Sequence, residues 1–178
     1  MAEAESVYVP AQSVRSIRTF GLGIAGFVLV LDQAVKWIVT YILQLEQRRE
    51  FEIVSFFKLR WTENRGVSMG FLTAGSELER WLLVALTVGI SIFVLVWMWR
   101  EKSRGDVVAL GFVLGGALGN IIDRVRLGYV LDFADLHFGD WHPFLVFNVG
   151  DAAITIGVLL LLVRALLTRD RKAPREEK

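Results

Sequence analysis

Cysteine is absent from this 178-residue chain, and histidine occurs only at His137 and His142. The first absence excludes disulfides, thiolate metal sites and a cysteine nucleophile. The second leaves a histidine-based triad only two candidates, both in one short stretch. A bias toward one sign of charge is also missing: 20 basic residues face 19 acidic ones, for a net charge of +1. That balance gives no reason to expect nucleic acid as a partner. No internal repeat or low-complexity tract is visible. Charge itself is nearly missing from four long stretches of the chain.

What fills those stretches is apolar. Hydrophobic residues make up 54% of the chain and the mean hydropathy is +0.48. Ordinary soluble domains reach roughly 45–50% even with glycine counted. Phe20–Leu43 is broken mainly by Asp32, Gln33 and Lys36, and Trp81–Trp99 has no charge. Val107–Ile122 is uncharged and glycine-rich, and Phe144–Val163 holds only Asn148 and Asp151 as strongly polar groups. About 20 helical residues cross a hydrocarbon core of roughly 30 Å. The expected fold is therefore an all-α membrane protein of four transmembrane helices, spanning about 20–43, 81–99, 107–124 and 146–166. Residues 1–178 form one integral membrane domain in this reading, with an outer β-rich segment at 44–75 and an outer loop at 125–145.

Basic residues set the expected orientation. Arg15 and Arg18 precede the first span, Arg100, Lys102 and Arg104 lie between the second and third, and Arg164 to Lys178 supply the tail. The positive-inside rule makes these segments cytoplasmic and places both termini inside. Residues 44–80 also carry six basic residues, but with matching acids. Trp37, Tyr41, Trp81, Tyr129 and Trp141 mark the outer interface, and Trp97 and Trp99 the inner one. Residues 1–19 make a poor signal peptide, since they hold Glu3 and Glu5 and lead into too long an apolar run.

Between the first two spans the period changes. Phe51, Ile53, Phe57, Leu59 and Trp61 alternate with more polar neighbours, imperfectly around Val54, Ser55 and Phe56. This reads as a half-buried strand over 51–62, followed by a turn at Glu63-Asn64-Arg65-Gly66. A small antiparallel sheet on the outer membrane face is expected.

The polar residues inside or beside the apolar blocks carry any chemistry. A carboxylate at mid-span costs on the order of 2.5–3.5 kcal/mol, so it faces a bundle interior or an aqueous cavity. Asp32 with Lys36, Asn64, Asn120 with Asp123 and Arg124, Asp132, and Asn148 with Asp151 all fall toward the outer side once the spans alternate in direction. Each has a structural reading beside the functional one. Asp32 and Lys36, four apart, can neutralise each other. Gly111, Gly115 and Gly119 form a small-residue ridge for helix packing. Arg124 can reach for the interface or hold a substrate carbonyl, and Asp123 reads as support. Asp151 has no basic residue within a helical turn, but can serve a helix N-terminus. Asp132 can be a solvated loop acid. Two such carboxylates brought together would share one proton, the arrangement that activates water in aspartic peptidases.

Five segments resemble the motifs of the lipoprotein signal peptidase (type II signal peptidase) family. Asp32-Gln-Ala-Val-Lys36 is similar to D-x-x-x-K, and Asn64-Arg-Gly-Val-Ser-Met-Gly70 to N-x-G-x-[SA]-F-[GS]. Gly115-Gly-Ala-Leu-Gly-Asn-Ile-Ile-Asp-Arg124 matches G-G-x-x-G-N-x-x-D-R, Val130-Leu-Asp-Phe133 matches V-x-D-F, and Phe147-Asn-Val-Gly-Asp151 resembles F-N-x-A-D. Met69 and Gly150 depart from the pattern, where an aromatic and an alanine are usual. The resemblance implies a catalytic dyad of Asp132 and Asp151. It implies polar support from Asn64, Asn120, Arg124 and Asn148, and a scaffold role for Asp32, Lys36 and Asp123. It further implies four transmembrane helices with a small antiparallel β-cradle on the outer face. The implied activity is removal of signal peptides from prolipoproteins, on the amino side of a diacylglyceryl cysteine, without metal or organic cofactor. Lipid-modified prolipoproteins and membrane lipids are the expected partners of a monomer in the bacterial inner membrane, with the site toward the outer face.

Rival readings have weaker footing. Gly66-Val67-Ser68-Met69-Gly70 formally matches a serine-hydrolase elbow, but that needs an α/β sheet and a triad histidine. His137 and His142 could bind metal with Asp135 or Asp140. A proton-coupled transporter would want polar groups strung across the membrane and a repeat, and a non-enzymatic assembly factor would use them only to lock helices.

Overall fold

The structure is a computed structural model that describes residues 11–66 and 77–170. Helix α1 covers Ala11–Trp37 and continues through a π-helical turn, Ile38–Ile42, into the short helix α2, Leu45–Arg48. Strands β1 (Glu50–Val54) and β2 (Phe57–Asn64) follow, then α3 (Glu77–Arg100), α4 (Arg104–Leu127), β3 (Val130–Leu136) and α5 (Val149–Asp170). Four helical stretches, Ser16–Ile42, Glu77–Arg100, Arg104–Leu127 and Val149–Leu167, are long and apolar enough to cross a membrane. Their outer faces expose Phe20, Phe27, Leu86, Phe93, Leu159 and Leu167. In lipid such faces are matched to their solvent.

Helix α4 sits at the centre, packed by α1, α3 and α5. Its glycines make that possible. A Cβ at Gly111 would press on the Gly21 carbonyl, and one at Gly115 on that of Ala25, so this ridge receives the backbone of α1. A Cβ at Gly116 would collide with the Gly150 carbonyl on α5. Small residues thus let three helices approach closely where apolar burial gives no driving force. Ser103 caps the start of α4 by accepting from the Asp106 N–H, and Gly128, at φ 86°, ends it with an N–H donated to the Arg124 carbonyl. At that first end, Arg164 Nε donates to Asp106 at 2.6 Å and ties α5 to α4.

At the opposite end lies a three-stranded antiparallel sheet, ordered β1-β2-β3. The sheet expected from alternation is there, but its strands differ from the reading. Residues 51–62 are not one strand: the chain turns at Ser55-Phe56 into a hairpin, at the point where the alternation failed. All of β1 is exposed, so only β2 is half-buried. Asn64, expected in a turn, ends β2 opposite Val130. Asp132, read in an outer loop, lies in β3 opposite Thr62, and every residue from Val130 to Asp135 is buried. Leu45, Leu59, Trp61, Leu131 and Phe133 form a small core beneath the sheet, separate from the core between the helices.

Candidate active site

Three helix ends and two strands deliver polar side chains to the sheet-bearing end of the bundle. The last turns of α1 bring Asp32, Gln33 and Lys36, and those of α4 bring Asn120, Asp123 and Arg124. The end of β2 brings Asn64, β3 brings Asp132, and the start of α5 brings Asn148 and Asp151.

The start of α5 shows how local structure builds the site. Asn148 Oδ1 accepts from the Asp151 N–H at 2.9 Å, and Asp151 Oδ2 accepts from the Asn148 N–H at 3.2 Å. This reciprocal pair is a capping box with aspartate in the usual glutamate position. Just before it, Phe147 exchanges backbone hydrogen bonds with Ala134 on β3, at 3.0 and 2.8 Å. The cap is thereby laid against the strand that carries Asp132.

Asn148 then has its amide free to donate. Its Nδ2 reaches Asp132 Oδ1 at 2.6 Å and Asn120 Oδ1 at 3.2 Å. Asn120 Nδ2 donates to Asp151 Oδ1 at 2.8 Å. The orientation of Asn120 follows from its other neighbour, because Lys36 can only donate, and does so to Asn120 Oδ1 at 3.3 Å. Asn64 Nδ2 donates to the second oxygen of Asp132 at 3.0 Å. One asparagine side chain therefore touches Asp132 and, through its backbone and its partner Asn120, holds Asp151.

Behind this layer lies a buried ion group. Lys36 Nζ stands 2.8 Å from Asp32 and 2.7 Å from Asp123, all three within a few per cent of full burial. Asp32 also accepts from the Gly150 N–H at 2.9 Å, and Asp123 from the Leu131 N–H at 3.2 Å. The scaffold thus fixes the residues beside each member of the candidate dyad. Gln33, which sequence reasoning did not single out, donates to Asp123 at 3.0 Å and to the Gly119 carbonyl at 3.3 Å. Its only signal was a polar amide in an apolar run.

Asp132 is 2% exposed. Burial, with the Asp151 charge second, pushes its carboxyl up from 3.8 to about 7, against the opposing donors Asn64 and Asn148. Arg124 is half-buried near the charges of Asp151, Asp132 and Asp123, and its Nε is buried without a hydrogen-bond partner. Eight of the nine site residues named from sequence share one hydrogen-bonded network, and Arg124 stands beside it. Ser68 and Met69 lie outside the described residues. His142 pairs with Asp135 at 2.9 Å and stacks on His137, which pins the segment after β3. Next to Asp151 an apolar cleft of about 310 Å³ opens between Phe144, Leu145, Phe147, Ala152 and Ile156.

The fold is similar to two solved bacterial membrane enzymes. One has a TM-score of 0.73 at 29% identity, covering 90% of this chain and 95% of the other. The second has a TM-score of 0.71 at 30% identity, covering 83% and 93%. In sequence the chain is 60% identical to a lipoprotein signal peptidase of Rhizorhabdus wittichii, over 99% of this chain and 97% of that protein. It is 53% identical to a lipoprotein signal peptidase of Sphingopyxis alaskensis, over 89% and 92%. The signal peptidase (SPase) II family model matches residues 24–167, and the chain belongs to that family of membrane peptidases.

Proposed function

We propose that this chain is an aspartyl endopeptidase that frees prolipoproteins of their signal peptides, cutting on the amino side of a diacylglyceryl cysteine. The observation that carries the reading is the Asn148 side chain, which donates to the Asp132 carboxylate of β3, accepts from the Asp151 N–H of α5 and, through Asn120, reaches the Asp151 carboxylate. Asp132 keeps the shared proton, consistent with burial and with the neighbouring charge of Asp151. Asp151 is the anion, held by the Asn120 amide and the Asn148 N–H at a helix N-terminus. Water between them loses a proton to Asp151 as its oxygen attacks the scissile carbonyl, and Asp132 gives its proton to the carbonyl oxygen. The resulting diol collapses: one of its hydroxyls returns a proton to Asp132 as the C–N bond breaks, and the proton on Asp151 passes to the departing cysteine amine. Arg124, with no hydrogen-bond partner of its own at Nε, is placed to steady the developing negative charge.

The apolar cleft beside Asp151 suits the lipid on the substrate cysteine, arriving sideways from the bilayer. The basic loops and tail favour an inner-membrane topology with both termini cytoplasmic and this end of the bundle outside. A single chain supplies every residue the reaction uses. The test is purified protein with a synthetic diacylglyceryl precursor, read on a gel. Asp132→Asn and Asp151→Asn should each abolish cleavage while the protein still folds, and retained processing by either would reject the dyad.

A further inference from the structure

The segment after β3 leaves that strand and returns to it. Phe147 is bridged to Ala134 by backbone hydrogen bonds of 2.8 and 3.0 Å. Earlier in the same segment, His142 Nδ1 stands 2.9 Å from Asp135 Oδ1. Ala134 and Asp135 are neighbours on β3, so both ends of 142–147 are stapled to one place on the strand that carries Asp132. The two staples differ in kind. One is backbone, which many sequences would make, and the other is a single pair of side chains. Between them, among the described residues, no backbone–backbone hydrogen bond reaches Pro143, Phe144, Leu145 or Val146.

Asp135 is 1% exposed, and its second oxygen has no hydrogen-bond partner. Arg60 approaches that oxygen only to 3.9 Å, from an exposed position. Burying a carboxylate is costly unless it is paired. Among the described residues His142 is the one hydrogen-bond donor this carboxylate meets. A carboxylate accepts, so the facing Nδ1 is the nitrogen that carries the proton. The His142 ring also stacks on His137, with centroids 5.6 Å apart, and the His137 N–H donates to the Phe56 carbonyl at 3.0 Å. The chain is thus tied as far as His142, and a free run begins at Pro143.

That run turns large apolar side chains outward. Leu145 is 91% exposed and Phe144 61%. They form one side of the apolar cleft, with Ala152 and Ile156 of α5 on the other, and Asp151 lines the same space. From that end α5 runs on as a membrane-spanning helix. Bulk lipid would wet Leu145 wherever the loop lay. An acyl chain joined to a group held at Asp151 needs the loop in one place.

We propose that the Asp135–His142 clasp positions Phe144 and Leu145 as the outer wall of this cleft, and that the wall holds the acyl chains of the substrate; this rests on the peptidase reading above. His142 is a positioning residue, which acts through that wall and touches neither the substrate nor the reacting atoms. Kinetics with dipalmitoylglyceryl and dibutanoylglyceryl precursors test it, the second being too short to fill the cleft. His142→Ala should raise KM for the long-chain precursor about tenfold, the share of one large apolar side chain. Its kcat should stay within about twofold, and KM for the short-chain precursor should hardly move. Asparagine carries an amide nitrogen close to where the imidazole Nδ1 stands, so His142→Asn should restore the long-chain KM. His142→Gln, whose amide lies one carbon further out, should not. Because the chain lacks cysteine, Leu145→Cys accepts a single nitroxide label. The label should grow more mobile with His142→Ala and not with His142→Asn, whatever the activity. An unchanged ratio of the two KM values in His142→Ala, which leaves the wall to bulk lipid, would overturn the proposal. So would a fall in kcat shared by both precursors, the mark of a merely structural loop. A label equally mobile with and without the His142 side chain would overturn the clasp itself. If the unsubstituted chain cleaves neither precursor, the peptidase reading falls, and the label alone decides the clasp.

Discussion

A carboxyl that burial and a like charge hold near pH 7 leaves a thermodynamic signature of unusual sign. Between about 3.8 and about 7 the folded chain keeps the Asp132 proton and the unfolded chain does not. The folded state then binds more protons, so stability falls as pH rises through that window and levels off above it. Asp132→Asn should flatten this slope in unfolding midpoints measured across the same pH range. Cleavage should fall on the alkaline side near the same value, where the pair loses its shared proton. A second residue-scale test separates capping from chemistry at Asn148. Serine is as good an N-cap but has no amide to donate to Asp132. Asn148→Ser should therefore keep the cap and lose only the about 1–3 kcal/mol of a donor withdrawn from buried Asp132, yet lose on the order of 100-fold in kcat, the cost of a misplaced reacting group. Residues such as Asp132, Asn148 and Asp151 were legible because polar groups in apolar surroundings need a reason. Gln33 was not, because its partners Asp123 and Gly119 are remote in sequence.

Elements were legible in proportion to how differently their faces are solvated. The four spanning helices declare themselves by composition, since lipid outside and protein inside are both apolar. Strand β2 was visible because it is half-buried. Strand β3 was not: Val-Leu-Asp-Phe-Ala-Asp is buried on both faces, so it shows no period-two pattern to read. The hairpin at Ser55-Phe56 was seen only as a flaw in alternation. The same scale explains why Gly150 stands where the family pattern has alanine. A Cβ there would lie 2.9 Å from the Gly116 carbonyl, 3.1 Å from Asn148 Oδ1 and 3.2 Å from Asn120 Oδ1. In this chain α4 and α5 have closed to the distance that glycine allows. Gly150→Ala should force them apart at a cost of about 1–3 kcal/mol. Because two of the three displaced atoms belong to the asparagine bridge, cleavage should fall along with the unfolding midpoint. Unchanged activity would show that the bridge tolerates the shift.

Across the whole molecule, one buried ammonium joins parts that are far apart in the chain. Lys36 and Asp32 belong to α1, Asp123 to α4, and through them the Leu131 N–H of β3 and the Gly150 N–H of α5 are held in place. The ion group helps set the height of the sheet on the bundle by giving each element one partner at one level. Lys36→Met keeps the length of the stem and removes the charge, leaving two carboxylates buried without a cation. Breaking a buried pair in this way costs about 3–5 kcal/mol, most of it the penalty of the stranded charge. Adding Asp123→Asn to Lys36→Met removes one stranded charge and should recover a substantial part of the loss, so the double variant should unfold at a higher temperature than Lys36→Met alone. A simple sum of the two single effects in that cycle would mean the groups are not coupled, and the sheet would then have to be held by the small core around Leu131 and Trp61 instead.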